Sequence, residues 1–450
     1  MTEGQPAATH VATHGGVTDA RITAAEVCAD LRAGELLDPA FERRAARLDA
    51  RDRRWTQELV WGMLRRRAWI DAILADRVRG GLARLDPDLA DLLRLGGHQL
   101  LYMGSVPAYA AIAQMVELAK RRHGMGASKL ANAVLRRIDR ERDALNVRLP
   151  ADPMDALALQ HSHPRWLVAR WVARWGAEET ARLLEANNEE APVIVRPFGA
   201  VREQLEAMLE SAGLHVEDVP LVRDSLRVSG PAALTELGAF RQGLFFMQDP
   251  AATLVTQYAD FPTGATVADL CAAPGGKTLE LTRTAGIVLA ADRSWPRLQR
   301  VLANVRRTEA RHVLPLVADA RCPAIAPVDA VLVDVPCTGT GTFRRHPDAR
   351  WRLKVSDLAV MAALQRSILR AAASVVRPGG LLVYSTCSLE PEENDAQIER
   401  FLAESPEWVL EPPAEGAVPA DVLDAGRLRV LPQRHRTDGA FAARLRRRGG

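Results

Sequence analysis

At 450 residues, 48% apolar and 26% charged, the chain has the balance of a soluble globular protein and exceeds one ordinary core, so two or three domains are expected. Five cysteines without a C-x-x-C pair, no export signal in the first twenty residues and no apolar run near the roughly 18 residues of a membrane span exclude a disulfide framework, a cysteine zinc site and a membrane protein, and predict a cytoplasmic chain. A net charge of +3 neither requires nor excludes nucleic acid, but only four lysines (120, 129, 277 and 354) stand beside 55 arginines, so each retained lysine is informative.

Residues 1–20 read as a disordered tail. Over 21–145 apolar residues recur at three and four residue spacing, as in "ITAAEVCADL" and "RWTQELVWGMLRRRAWIDAIL", with turn signals such as "LDPDL" between them, which predicts five to seven helices. Basic clusters, including Arg65, Arg66 and Arg67, interleave with Trp55, Trp61 and Trp69, a pattern that fits RNA contact as well as a solvated helix face. Residues 146–190 read as a helical linker, and the "HSH" at 161–163 lacks the cysteine or acidic partner a metal site needs. In 191–245, "PVIVRPF", "VREQLEAMLESAG" and "DSLRVSG" alternate as a small α+β unit, either a connector or an RNA-binding subdomain.

From 246 to 450 the pattern becomes regular strand and helix alternation, the sign of an α/β Rossmann-like parallel sheet with helices on both faces. Ligands in such folds collect beyond the carboxyl ends of the strands, which here read Asp269 to Cys271, Asp292, Asp319, Asp334 to Cys337, and Cys387. The loop "DLCAAPGGKT" is neither G-x-G-x-x-G nor a Walker loop, which weakens nucleotide-phosphate readings. Its Cys271, Ala272, Ala273, Pro274, Gly275, Gly276 and Lys277 fit the charged amino-acid end of an adenosyl ligand better, with Asp292 placed for ribose hydroxyls and Asp319 for the adenine edge. "TFRRHPDARWR", with Arg344, Arg345 and His346, reads as a basic segment that follows an RNA backbone or as a surface loop.

Taken together, "DLCAAPGGKT", "ADRS", "DVPCTGTGTFRRHPD", "RPGGLLVYSTCSLEPEEN" and "QRHRTDGAFAARL" resemble the Sun/Nop2 family of RNA cytosine-5 methyltransferases, and the helical front resembles the NusB RNA-binding fold. The combination resembles the bacterial 16S ribosomal RNA branch of that family. The resemblance implies S-adenosylmethionine as cofactor, RNA as partner, no metal, and a monomer. It implies Cys387 as the nucleophile, Cys337 as the group that assists release, and Asp334 as the residue that binds and activates cytosine and borders the cofactor. Sequence spacing alone does not assign those roles, since each thiol stands at a strand end. "PCTGTG" carries Thr where the branch has Ser, and "DGAF" has Ala where Phe is usual. Transfer RNA or another ribosomal cytosine is the alternative substrate, and a non-catalytic NusB-like antitermination factor is the alternative of another class.

Overall fold

The computed structural model describes residues 13, 14 and 16–449, in two compact units. The first comprises the chain up to Asn188 together with His346–Arg352; the second comprises Glu189–Arg345 and Leu353–Gly450. Most of the expected tail lies outside the described residues. Its end does not behave as a tail, because Val17 is fully buried in the helical core and a helix begins at Asp19.

The first unit is helical from Asp19 onward: Asp19–Arg32, Leu37–Ala45, Ala50–Arg65, Arg67–Ala75, Pro87–Tyr102 and Ala108–Glu141. The last is broken at Gly124, whose φ of 81° is left-handed backbone, so seven helical segments precede residue 142. Several starts follow from capping: Asp49 accepts from the Asp52 amide, Asp86 from that of Asp88, and Asp152 from those of Met154 and Asp155. Leu59, Val60, Ile70, Leu93, Leu135 and Ile138 meet in one core with almost no exposure. Three further helices, Pro153–Gln160, Arg165–Trp175 and Ala177–Asn188, complete the unit.

His346–Arg352 was expected in the α/β domain, yet it packs into this helical unit. Arg350 is fully buried there, donating to the Asn188 side chain at 2.7 Å and the Asn187 carbonyl at 2.8 Å, while the Trp351 indole donates to the Leu64 carbonyl at 2.9 Å. Buried donors of this kind must find acceptors, and these acceptors fix the segment.

The second unit opens with a four-stranded antiparallel sheet in the order His215–Asp218, Leu226–Ser229, Val193–Pro197, Phe245–Met247. The helix Arg202–Ser211 covers one face through Leu205 and Leu209. Beyond it lies a nine-stranded sheet with a parallel part in the order Val376–Thr386, Val328–Asp334, Thr266–Asp269, Ile287–Asp292, Val313–Val317. The central strand shows why its sequence is continuously apolar. Val331 and Val333 pack with Ile368 on one face, Ala330 and Leu332 with Leu254 and Tyr258 on the other, so both faces are dry. The C-terminal strand Ala440–Arg447 adds antiparallel to Val376–Thr386 and carries the remaining strands on its far edge.

Arg344 and Arg345, expected to follow an RNA backbone, are paired with carboxylates inside this unit. Arg344, only 3% exposed, donates to Asp438 at 2.6 Å and to Asp249 at 2.9 Å; Arg345 donates to the same two carboxylates, at 2.6 Å each. Two guanidinium groups and two buried carboxylates thus tie three distant segments, and the charges are consumed inside the unit. Removing one partner leaves charge unmatched, so Arg344→Met is expected to destabilise the α/β unit by about 3–5 kcal/mol, read as a lowered denaturant midpoint.

Candidate active site

The register of two neighbouring strands builds the centre. Val328–Asp334 and Val376–Thr386 run parallel with Asp334 opposite Ser385, so residues a few positions past each strand end are brought side by side. Cys337 and Cys387, 50 residues apart in sequence, stand 3.2 Å apart, sulfur to sulfur. Gly341 permits the crossing of their loops: its amide donates to the Cys387 carbonyl at 3.0 Å, and a Cβ there would lie 2.7 Å from that oxygen and from the Gly439 Cα.

Asp334 is held at both oxygens. Ser385 donates to Oδ1 at 2.8 Å and Lys277 Nζ to Oδ2 at 2.7 Å. Burial works against the Lys277 ammonium, but Asp334, with Cys387 nearby, outweighs it and raises the pKa, so the lysine stays charged. The hydrogen bond with Cys387 is the largest influence on Cys337, followed by burial and the negative charges of Glu393 and Asp334. All of them hold its thiol well above the usual range.

The loop leaves the first parallel strand at Asp269 and enters the short helix Gly276–Leu281, with Gly275 in left-handed backbone at φ 109°. Its shape is held from outside: the Ala272 amide donates to the Ala291 carbonyl at 2.9 Å, and Asn304 donates to the Pro274 carbonyl at 3.2 Å. The helix is anchored by a bidentate pair, Arg196 to Glu280, at 2.9 and 3.1 Å. Beside the loop opens a cavity of about 270 Å³, lined by Cys271 to Pro274, Gly276, Lys277 and Asp334 and walled by Phe246, Met247 and Gln248.

The structure brings the loop, Lys277 and Asp334 into one cavity and the two thiols into contact. Asp292 and Asp319 stand apart from the cavity lining. Asp292 is buried and accepts from the Ser294 amide at 2.9 Å. Arg321 holds Asp319 at 2.6 Å and depresses it to about 2. The Cys271 thiol is pushed up by burial and by the surrounding carboxylates. The six cations expected to meet RNA are all at least partly covered. Besides Arg344 and Arg345, His346 pairs with Asp38 at 3.1 Å, Arg65 is buried, Arg66 lies over the Tyr102 ring and Arg67 over that of Trp351.

Asp269 is a site residue that sequence reading passed over as a strand end. It is 1% exposed, accepts from Thr278 at Oδ2 at 2.7 Å, and has no hydrogen-bond partner at Oδ1. Gln248, from the strand end ahead of the sheet, was also not foreseen, since nothing in "FFMQDP" places it opposite the loop.

A Gly-rich loop at the switch point of a parallel sheet, with a lysine and a carboxylate in the same cavity, is a ligand site of the kind such sheets carry. Residues 259–446 match the family described as 16S rRNA methyltransferase RsmB/F, residues 18–140 the NusB family, and residues 163–235 the ferredoxin-like domain of RsmF/B-like methyltransferases. The chain is 36% identical over 408 residues to the probable ribosomal RNA small subunit methyltransferase B of Synechocystis, covering 88% of this chain and 91% of the relative. It is 34% identical to the ribosomal RNA small subunit methyltransferase B of Pseudomonas syringae, covering 94% and 96%. Among solved structures, the crystal structure of PH0851 superposes with a TM-score of 0.80 at 28% identity, over 97% of this chain and all of the other. The chain belongs to the RsmB/F methyltransferase family.

Burial raises the Asp269 carboxyl from 3.8 to about 6, against the opposing pull of Thr278 and Lys277. Between those values the folded protein binds a proton that the unfolded chain has released, so this group makes stability fall as pH rises from about 4 to 6. Asp269→Asn stays neutral throughout; the difference in unfolding free energy between variant and wild type is expected to grow in the variant's favour across that window and then level off.

Proposed function

We propose that this chain transfers a methyl group from S-adenosylmethionine to carbon 5 of a cytosine in 16S ribosomal RNA, through a covalent cysteine adduct. The observation that carries this reading is the thiol pair at 3.2 Å beside Asp334 and Lys277. The site's chemistry fits the methyl donor: a cavity lined by small loop residues, with Asp269, Lys277 and Asp334 as polar groups among them. Cys271 to Lys277 and Asp269 would hold its amino-acid end, and Asp292 and Asp319, at the next strand ends outside the cavity lining, would meet its ribose and adenine. When bound, S-adenosylmethionine supplies the methyl group.

The protein's residues do the rest. Carbon 5 of cytosine is a poor nucleophile until a thiolate adds to carbon 6, and Cys387, with the Lys277 ammonium near it, is the member of the pair suited to add. Asp334 has lone pairs left beyond those used by Lys277 and Ser385, and these accept hydrogen bonds from the exocyclic amine and the protonated ring nitrogen as the ring takes up electrons. After methyl transfer Cys337 gives up its own proton to solvent and, as thiolate, takes the carbon 5 proton. The electrons of that bond re-form the ring double bond, and the Cys387 sulfur leaves as thiolate.

RNA meets the chain, in this reading, on a different set of cations from the covered ones. Lys129, Arg136, Arg137 and Arg140 are exposed along the second arm of Ala108–Glu141, with Lys120, Arg121 and Arg122 on the first, and such a row suits a phosphate backbone. A purely RNA-binding antitermination role leaves the thiol pair without a task. Among the described residues no helix is long and apolar enough to cross a membrane, and the proposed work is cytoplasmic.

Denaturing gels with substrate RNA and labelled S-adenosylmethionine test the reading. Cys387→Ala is expected to abolish both turnover and covalent complex. Cys337→Ala is expected to accumulate a protein–RNA adduct. An adduct in Cys387→Ala and none in Cys337→Ala exchanges the roles, and label entering no RNA with the wild-type protein removes the proposal.

A further inference from the structure

Behind the thiol pair stands a buried acid that the reaction scheme does not use. Glu393 has no exposed surface, and its carboxylate gathers four neutral donors. Oε2 accepts from the Thr338 amide at 2.9 Å and from Gln365 Nε2 at 2.7 Å; Oε1 accepts from the Ser388 hydroxyl at 2.6 Å and from the Thr338 hydroxyl. Thr338 follows Cys337 and Ser388 follows Cys387, so one side chain grips the residue after each thiol. Two more bonds complete the frame. Gln365 also donates to the carbonyl of Pro336, the residue before Cys337, at 2.9 Å, and Tyr384 on the other cysteine's strand donates to the Glu393 carbonyl at 2.7 Å.

We propose that Glu393 is the positioning residue of the thiol pair: its carboxylate fixes the two cysteine loops against each other and supplies the negative charge that steers ionisation away from Cys337 and toward Cys387. The four donors are all neutral dipoles, with no cation among them. The contacts are unequal: Glu393 takes two bonds from Thr338, next to Cys337, and one from Ser388, next to Cys387, while Lys277 stands on the far side at Asp334. The titratable groups that face Cys337 are Cys387, Glu393, Asp334 and Tyr384. The hydroxyl shared by Ser and Thr also explains how Thr338 is tolerated after the Pro-Cys pair: it preserves the bond to Glu393.

The proposal deepens the methyl-transfer reading, but its test needs neither RNA nor methyl donor. Full-length protein is treated with iodoacetamide across a pH series, and initial alkylation of Cys387 and Cys337, both partly exposed, is followed by peptide mass spectrometry. Wild type is expected to favour Cys387. Glu393→Gln keeps the shape and loses the charge, and the Cys387 to Cys337 ratio is expected to fall about tenfold, with Cys337 reacting at lower pH. Glu393→Asp keeps the charge at shorter reach, so the ratio stays within about twofold of wild type while turnover on RNA drops. An unchanged ratio in folded Glu393→Gln overturns the proposal, and so does a ratio that collapses in Glu393→Asp. The second criterion stands alone if the Gln variant does not fold. A wild-type protein that shows the biased ratio but methylates no RNA would remove the function and leave the role of Glu393 intact.

Discussion

The site rests on one strand pairing. If Val328–Asp334 and Val376–Thr386 slipped by a single residue, every side chain on one of them would change face and the two cysteines would part. The register is secured because both faces are packed: Val331 and Val333 belong to one core, Ala330 and Leu332 to the other, and a slip would exchange side chains of unlike volume between two filled cores. Beyond the strand ends the loops need their own restraints. Gly341 against the Cys387 carbonyl and Glu393 against Thr338 and Ser388 provide them.

Charge in the α/β unit is arranged in two ways. Where it serves the scaffold it is matched and hidden, as in the Arg344, Arg345, Asp249, Asp438 cluster and the Arg196–Glu280 pair. Where it serves chemistry it is left poised. Asp269 stands in the cavity lining, and Glu393 is bonded only by neutral donors. The contrast separates structural from functional ionic groups more sharply than their residue types do.

Much of this was legible in the sequence because it is local. The loop "DLCAAPGGKT", strand and helix alternation and the helical front are written in neighbouring residues, and the structure places them as alternation and periodicity predict. What failed is what depends on distant partners. "FRRH" reads as a basic surface loop until Asp249 and Asp438, roughly a hundred residues away on either side, are seen to absorb its arginines. The segment after it could not be assigned to the helical unit, because its anchors at Leu64 and Asn188 share no pattern with it. The antiparallel strands Arg427–Val430 and Ala440–Arg447 are not legible in the sequence because Ala440–Arg447 pairs with Val376–Thr386, a partner far upstream. Spacing could not divide the labour of the two thiols; the positions of Lys277 and Glu393 around them favour one division.

The most direct test identifies the atom that carries the base. Wild-type protein is mixed with small-subunit ribosomal RNA and S-adenosylmethionine, quenched in denaturant, digested with nuclease and protease, and the cysteine peptides are weighed. The account predicts a cytidine nucleotide mass on the peptide containing Cys387 and none on that containing Cys337. A nucleotide on the Cys337 peptide, or on neither peptide while methylation proceeds, would contradict it.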